Sequence, residues 1–307
     1  MSEPPRERAG SGSGTDEGAG GPVGGATGPL DNATARACEE METVADDDLL
    51  AVAVEAARMA GTLLAERARD GAERAVSSKS TPTDLVSEAD TESERAIREL
   101  LAARRPHDGI VGEEGSDEPG TSGLRWVVDP LDGTVNFLFS IPQWCVSVAV
   151  RDERETIAGA VYDPNRDELF TATRGGNAIV SGRGGMSELV GPEREANLSS
   201  AMVATGLAYD ADVRAAQGKV LARLAPRARD IRRFGSAALD LTWTAAGRFD
   251  AYFERSVKQW DIAAGQLICE RAGLRALELE VFENLPWGLL VAPEGLAEAL
   301  LEVVGGP

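Results

Sequence analysis

Histidine is nearly missing from this 307-residue chain. The single one, His107, stands in the turn-like stretch R-P-H-D-G and reads as an exposed loop residue. Zinc held by a histidine cluster is therefore excluded, and a Ser-His-Asp or Cys-His mechanism would have to use this one residue. Cysteine is scarce as well. Cys38, Cys145 and Cys269 are odd in number and far apart. They fit neither a disulfide framework nor a zinc spacing, so a reducing cytoplasm is the expected compartment. No apolar run approaches the roughly 18 residues of a membrane span, and the N-terminus lacks the hydrophobic core of a secretory signal. Positive charge is in deficit: Lys+Arg 31 against Asp+Glu 51 gives a formal net charge of -20. That balance argues against a nucleic-acid-binding surface. The glycine-rich stretch G-A-G-G-P-V-G-G-A-T-G has no G-K-[ST] and no strand-to-helix context, so it is not a phosphate loop.

What is present falls into two parts. Residues 1–45 are Gly, Ser, Pro, Ala and acids without periodicity, and read as a disordered extension. Residues 1–48 hold 11 acidic and 3 basic residues, net -8, leaving -12 for the remainder. Residues 46–307 are long enough to bury a sizeable core and show no internal repeat. Leu49, Val52, Ala53, Ala56, Ala60, Leu63 and Leu64 follow helical spacing after Asp46-Asp47-Asp48. Thr91 to Glu94 matches a capping box for a helix reaching about Arg104. Strands are expected at 110–111, 157–162, 168–172, 197–205, 229–233, 249–253 and 289–292. Helices are expected at 213–224, 236–246, 262–272 and 296–304. Neither strict βαβ alternation nor an all-β pattern fits, so the expectation is a mixed, layered α/β or α+β architecture.

The stretch Arg125–Val150 organises the rest. Trp126-Val127-Val128 reads as a buried strand ending at Asp129, where Pro130 forbids the ladder from continuing. Asp132-Gly133 is a turn dipeptide, and Cys145 to Val150 alternates as a second strand. Asp129 and Asp132 thus reach the mouth of a sheet together, beside Gly133 and the Thr134 hydroxyl. Two acids held so close repel unless a cation lies between them or one takes a proton. Further acids share this boundary character: Asp90 before a helix, Glu113 in a G-E-E-G turn, and Asp261 as the expected N-cap of a helix. Together they are hard oxygen donors, suited to Mg²⁺ rather than zinc or copper.

D-L-V-S-E-A-D (84–90), G-E-E-G (112–115), D-P-L-D-G-T-V-N-F (129–137) and W-D-I-A-A-G (260–265) resemble, in order and spacing, the inositol monophosphatase family of Mg²⁺-dependent phosphomonoesterases. The resemblance implies a layered αβαβα sandwich of the inositol monophosphatase/fructose-1,6-bisphosphatase type. It implies that Glu113, Asp129 and the Leu131 carbonyl bind one Mg²⁺ and that Asp129, Asp132 and Asp261 bind a second. A third ion would be held by Glu113 through water. Glu113 and Thr134, backed by Asp90, would orient and deprotonate the attacking water. The amides of Gly133 and Thr134 and the helix N-terminus at Asp261 would hold phosphate, with Asp132 also facing the substrate. Lys79 matches a loop lysine that closes near the site. Gly235, Ser236 and Ala237 match a polyol-facing segment, and Glu254 matches a sugar-hydroxyl acceptor.

The expected reaction is hydrolysis of a small polyol phosphate, myo-inositol-1-phosphate first, with no nucleic-acid or membrane partner and with homodimers common among relatives. Fructose-1,6-bisphosphate, histidinol phosphate and a 3′-phosphonucleotide are the rival esters, the last without an obvious adenine site. A non-catalytic, metal-bound regulatory protein is the reading from another class, and it would be marked by loss of Glu113, Thr134 or Asp90. All three are present. Two departures lie near the pocket: Ser256 where the family usually has Gly, and Leu274 to Trp287 in place of the usual G-x-V-x-D-x-x-G turn.

Overall fold

The computed structural model describes residues 32–70, 76–78, 85–115, 117–192 and 197–306. Contacts divide the chain into Met1–Glu39 and Glu40–Pro307. Of the first unit only helical backbone from Asn32 is described, and the layered fold belongs to the second. Two helices come first, α1 (Asn32–Asp70) and α2 (Glu88–Arg104), separated by a short antiparallel pair, β1 (Val76–Ser78) and β2 (Leu85–Ser87). Next are β3 (Gly109–Gly112), β4 (Arg125–Asp132), the five-residue α3 (Thr134–Leu138), β5 (Cys145–Arg151), β6 (Thr156–Asp163), β7 (Glu168–Thr173), β8 (Ile179–Gly182) and β9 (Gly185–Glu188). The remainder is β10 (Met202–Thr205), α4 (Ala211–Leu224), β11 (Asp230–Arg232), α5 (Ala237–Ala245), β12 (Ala251–Arg255), α6 (Gln259–Arg271), β13 (Arg275–Leu279), β14 (Gly288–Ala292) and α7 (Glu294–Val304).

Strands β3 to β9 form a seven-stranded sheet in chain order, with β3 and β4 parallel and the other pairs antiparallel. The second sheet runs β11-β10-β12-β14-β13. Successive strand residues point to opposite faces, and both faces of both sheets carry apolar side chains. Trp126, Val128, Val146, Val148 and Val150 pack under α1 and α2. Val127, Cys145, Ala149 and Val161 face α5 and α6, whose other side meets Tyr252, Leu289 and Val291 of the second sheet. Phe253, Leu290 and Ala292 turn the other way, onto α4 and α7. The result is helices, sheet, helices, sheet, helices: the expected αβαβα order.

The middle layer is thin because its contacts are small. A Cβ on Gly265 would come within 2.8 Å of Leu241, and one on Gly159 within 2.8 Å of Ala264. Ala264 and Gly265 of the W-D-I-A-A-G motif are therefore packing, whereas its Trp260 and Asp261 line a pocket.

Local readings shift in four places. The first helix is described from Asn32 rather than Asp46. Residues 32–45 contain no Gly or Pro and are rich in Ala, Glu and Met, good helix formers that need no apolar stripe. The rest of the expected extension, 1–31, lies outside the described residues. Helix α2 starts at Glu88, so Thr91 and Glu94 sit inside it and form no capping box. Asn197 caps a 3₁₀ turn (Leu198–Ser200), which delays the strand expected from 197 until Met202. β4 runs through Pro130 to Asp132, where the ladder was expected to stop at Asp129. No described helix is long and apolar enough to cross a membrane, and His107 is exposed as expected.

Candidate active site

Parallel pairing of β3 and β4 brings their C-terminal ends side by side, Gly112 opposite Val128. The Glu113 N–H donates to the Val128 carbonyl at 3.2 Å, so Glu113 leaves the sheet next to Asp129. Asp129 and Asp132 are three apart, which in a regular strand would send them to opposite faces. Asp129 pairs with Ser147 but Asp132 with Cys145, so β4 carries one extra residue there. This bulge accommodates Pro130, which has no N–H to give the ladder, and turns both carboxylates into one pocket.

Asp261 arrives from the middle helix layer. The Ser147 hydroxyl donates to the Trp260 carbonyl at 3.4 Å, which brings the start of α6 against β5. Asp261 is the third residue of α6 rather than its N-cap: it accepts the Lys258 N–H at 2.6 Å, and Lys258 holds the cap position. Gly133 has φ 102, a left-handed conformation, and a Cβ there would meet the Gln143 carbonyl at 2.9 Å. The chain can then turn straight into α3 with Thr134 first. The Thr134 Oγ1 lies 2.9 Å from buried Asp90 Oδ1 and 3.2 Å from the Leu131 carbonyl, with one proton to share between them.

The result is one cavity of about 260 Å³. Glu113, Asp129, Leu131, Asp132, Gly133, Thr134, Gly235, Ala237, Glu254 and Asp261 all line it. Ser236, expected to face a polyol, is buried instead: its hydroxyl and the Ala238 N–H both donate to Asp132 Oδ2 at 2.7 Å. Lys79 lies outside the described residues.

The electrostatics are those of crowded acids. Burial, then the charges of Glu113, Asp132 and Asp261, push Asp129 well above the usual carboxylate range. Burial and the Asp132 charge do the same to Asp261. Asp132 is pushed up to about 6 by burial, against the opposing hydrogen bonds from Ser236 and Ala238. Glu254 is pushed up to about 7 by burial, although the Tyr252 hydroxyl donates to it at 3.1 Å and Arg233 lies nearby.

These donors fit a hard divalent cation: carboxylates and a carbonyl, with no imidazole, and a thiol (Cys145) only behind Asp132. Among the described residues no three His, Cys, Asp or Glu side chains close round a single point.

Several pocket features escaped the sequence reading. Tyr252 and Gly206 cradle Glu254, since a Cβ on Gly206 would run into its carboxylate. The carboxylate of Asp240, buried in α5, has no hydrogen-bond partner among the described residues, and burial with the Glu254 and Asp132 charges raises its pKa. Its signal was an acid inside the apolar run A-A-L-D-L-T-W. Ser256 takes φ 71, the left-handed region that favours glycine.

The family model described as "Inositol monophosphatase family" matches residues 45–304. The inositol-1-monophosphatase of Mycobacterium leprae is 44% identical over 236 residues, 74% of this chain and 80% of its own. That of Rhizobium meliloti is 43% identical over 265 residues, covering 84% of this chain and 97% of the relative. The solved extragenic suppressor protein suhB of Bartonella henselae matches with a TM-score of 0.76 at 34% identity, over 83% of this chain and 98% of that one.

Proposed function

The chain belongs to the inositol monophosphatase family, phosphoric monoester hydrolases that depend on divalent metal, and from that premise we propose that it hydrolyses myo-inositol-1-phosphate to inositol and phosphate. Glu113, Asp129 and the Leu131 carbonyl would hold one Mg²⁺. Asp129, Asp132 and Asp261 would close round a second, and Glu113 would reach a third through water. Metal bound there would supply positive charge against the repulsion of a phosphate dianion, Lewis acidity toward the phosphoryl group and the attacking water, and neutralisation of the leaving alkoxide.

The residues do the rest. Thr134 donates its proton toward Asp90, which leaves its oxygen lone pairs free to accept from a water in the pocket. Glu113, which lines the same pocket, would take a proton from that water. The Gly133 and Thr134 amides and the N-terminus of α6 hold phosphate oxygens, while Asp132, fixed by Ser236 and Ala238, stays in place. Glu254, supported by Tyr252, accepts a hydroxyl of the alcohol, and in-line attack releases inorganic phosphate without a covalent enzyme intermediate.

The observation that carries this reading is the convergence of Glu113, Asp129, Asp132 and Asp261 beside the Thr134–Asp90 pair in one cavity. The test is phosphate release from inositol-1-phosphate, fructose-1,6-bisphosphate, histidinol phosphate and a 3′-phosphonucleotide, with and without Mg²⁺. Inositol-1-phosphate should be cleaved fastest and only with metal. If no ester is cleaved, the reading is lost. Every named residue comes from one chain, so a homodimer, measured by light scattering, would not be needed to complete the site.

A further inference from the structure

The inward stripe of α2 ends on apolar Ile97 and Leu101, but its first turns are polar where a packed helix normally presents apolar side chains. Asp90, Ser93 and Glu94 are 0%, 0% and 2% exposed, and their i, i+3, i+4 spacing puts them on one face. Asp90 is accounted for by Thr134. The other two reach the two turns that carry the acids. Ser93 Oγ donates to the Pro130 carbonyl at 3.0 Å, inside the bulge between Asp129 and Asp132. Glu94 Oε2 accepts the Glu114 N–H at 2.7 Å, one residue beyond Glu113. Its other oxygen takes Arg98 Nε at 2.7 Å, and Arg98 reaches on to Glu118 at 2.9 Å. The G-E-E-G turn wraps this carboxylate so closely that a Cβ on Gly112 would lie 2.5 Å from it, and one on Gly115 would collide with it.

We propose that Ser93 and Glu94 are positioning residues for the divalent cation: one rigid helix face sets the bulge and the G-E-E-G turn at the spacing that lets Asp129 and Glu113 share an ion. This rests on the proposed function. Burying a carboxylate is costly, and apolar replacements at such positions often leave stability unchanged or higher. A helix serving packing alone would gain nothing from it. Here the acid reads out a backbone N–H beside Glu113, which no apolar side chain can do. Loss of groups that orient metal ligands costs about 10–100-fold in affinity.

The experiment compares the full chain with Ser93→Ala, Glu94→Ala and the conservative Glu94→Gln, which keeps an acceptor for the Glu114 N–H. Mn²⁺ binding is followed by the EPR signal of the free ion, and Mg²⁺ activation is measured with saturating ester. Ser93→Ala and Glu94→Ala should weaken Mn²⁺ binding by about 10–100-fold and shift the Mg²⁺ requirement by the same factor. kcat at saturating Mg²⁺ and KM for the ester should stay within about threefold, and Glu94→Gln should recover most of the affinity. A merely structural role would lower the melting temperature of the metal-free protein and leave Mn²⁺ affinity within about twofold, which overturns the proposal. Ser93→Ala removes a single hydroxyl and decides the matter should Glu94→Ala not fold. A wild-type chain that binds no Mn²⁺ overturns the site reading itself, an outcome distinct from unaffected variants.

Discussion

Two Asp-Pro steps lie in neighbouring strand pairs of the seven-stranded sheet, one at the bulge of β4 and one at the end of β6, and they do opposite things. Asp163 ends β6 and is 0% exposed, while Asp129 in β4 is 1% exposed. Each uses one carboxylate oxygen for its own turn: Asn165 N–H to Asp163 at 2.9 Å, Leu131 N–H to Asp129 at 3.0 Å. The second oxygen separates them. Asp163 meets Arg166 at 2.7 Å, so its charge is cancelled within the protein. Asp129 faces Glu113, Asp132 and Asp261. Residue type, burial and local turn chemistry are shared, so only the facing charge distinguishes a cap from a cation ligand.

The sharpest way to break that comparison is to neutralise each acid in turn. Asp129→Asn should lower kcat at least about a thousandfold, the several kcal/mol that a metal contributes to the transition state. The same variant, metal-free, should melt no lower than wild type, because one repelling charge is gone. Steady-state kinetics and calorimetry check both, and near-normal turnover would refute the assignment.

Next in size is the metal itself. At Mg²⁺ about 100-fold above Kd the site should add about 2.7 kcal/mol of stability by mass action. The pH dependence has a definite sign. The buried acids carry raised pKa values, so the folded metal-free protein binds more protons than the unfolded chain. That stabilisation is complete below the ordinary carboxylate values of 3.8 and 4.5, and it is lost as pH rises through about 6 for Asp132 and about 7 for Glu254. Melting curves in EDTA should therefore fall across this window, and Mg²⁺ should flatten the fall. A flat metal-free profile would mean that the acids do not crowd one another.

Asp163→Ala should behave as the mirror image of Asp129→Asn. Stability should drop by about 2 kcal/mol, for a lost charged hydrogen-bond pair beside a partly exposed arginine. Turnover per folded molecule should stay within about threefold, and loss of turnover at full stability would erase the distinction between the two turns. Smaller still, Glu254→Gln should raise KM for inositol-1-phosphate by about tenfold, near 1.4 kcal/mol, with less effect on kcat. No change in either would mean that the pocket reads another alcohol. Smallest, Ser256→Gly should relieve left-handed strain and stabilise by up to about 1 kcal/mol without altering kinetics.

Most of the acids were legible because each sits at a break in pattern, beside Gly, Pro or a helix start, where an apolar residue would otherwise be expected. What stayed hidden depends on partners far along the chain. Glu94 reads locally as half of a capping box, yet its carboxylate serves Glu114, 20 residues away. Ser236 reads as substrate-facing, yet it holds Asp132 from 104 residues away. The bulge in β4 was half visible: Pro130 announced a broken ladder, but only pairing with β5 shows that one extra residue absorbs the break and the strand resumes.

Taken alone, the order of residues determined which groups were on offer: oxygen donors without imidazole, placed at element ends, on a chain able to alternate sheet and helix layers. Tertiary structure decided which acids confront one another and which meet an arginine, which oxygen is spent on a backbone N–H, and which motif residues merely fit a narrow gap. The reason is physical. Local sequence sets the backbone conformations that are cheap, whereas the charge state and use of a buried carboxylate are set by whatever stands a few ångströms away, and those neighbours come from anywhere in the chain.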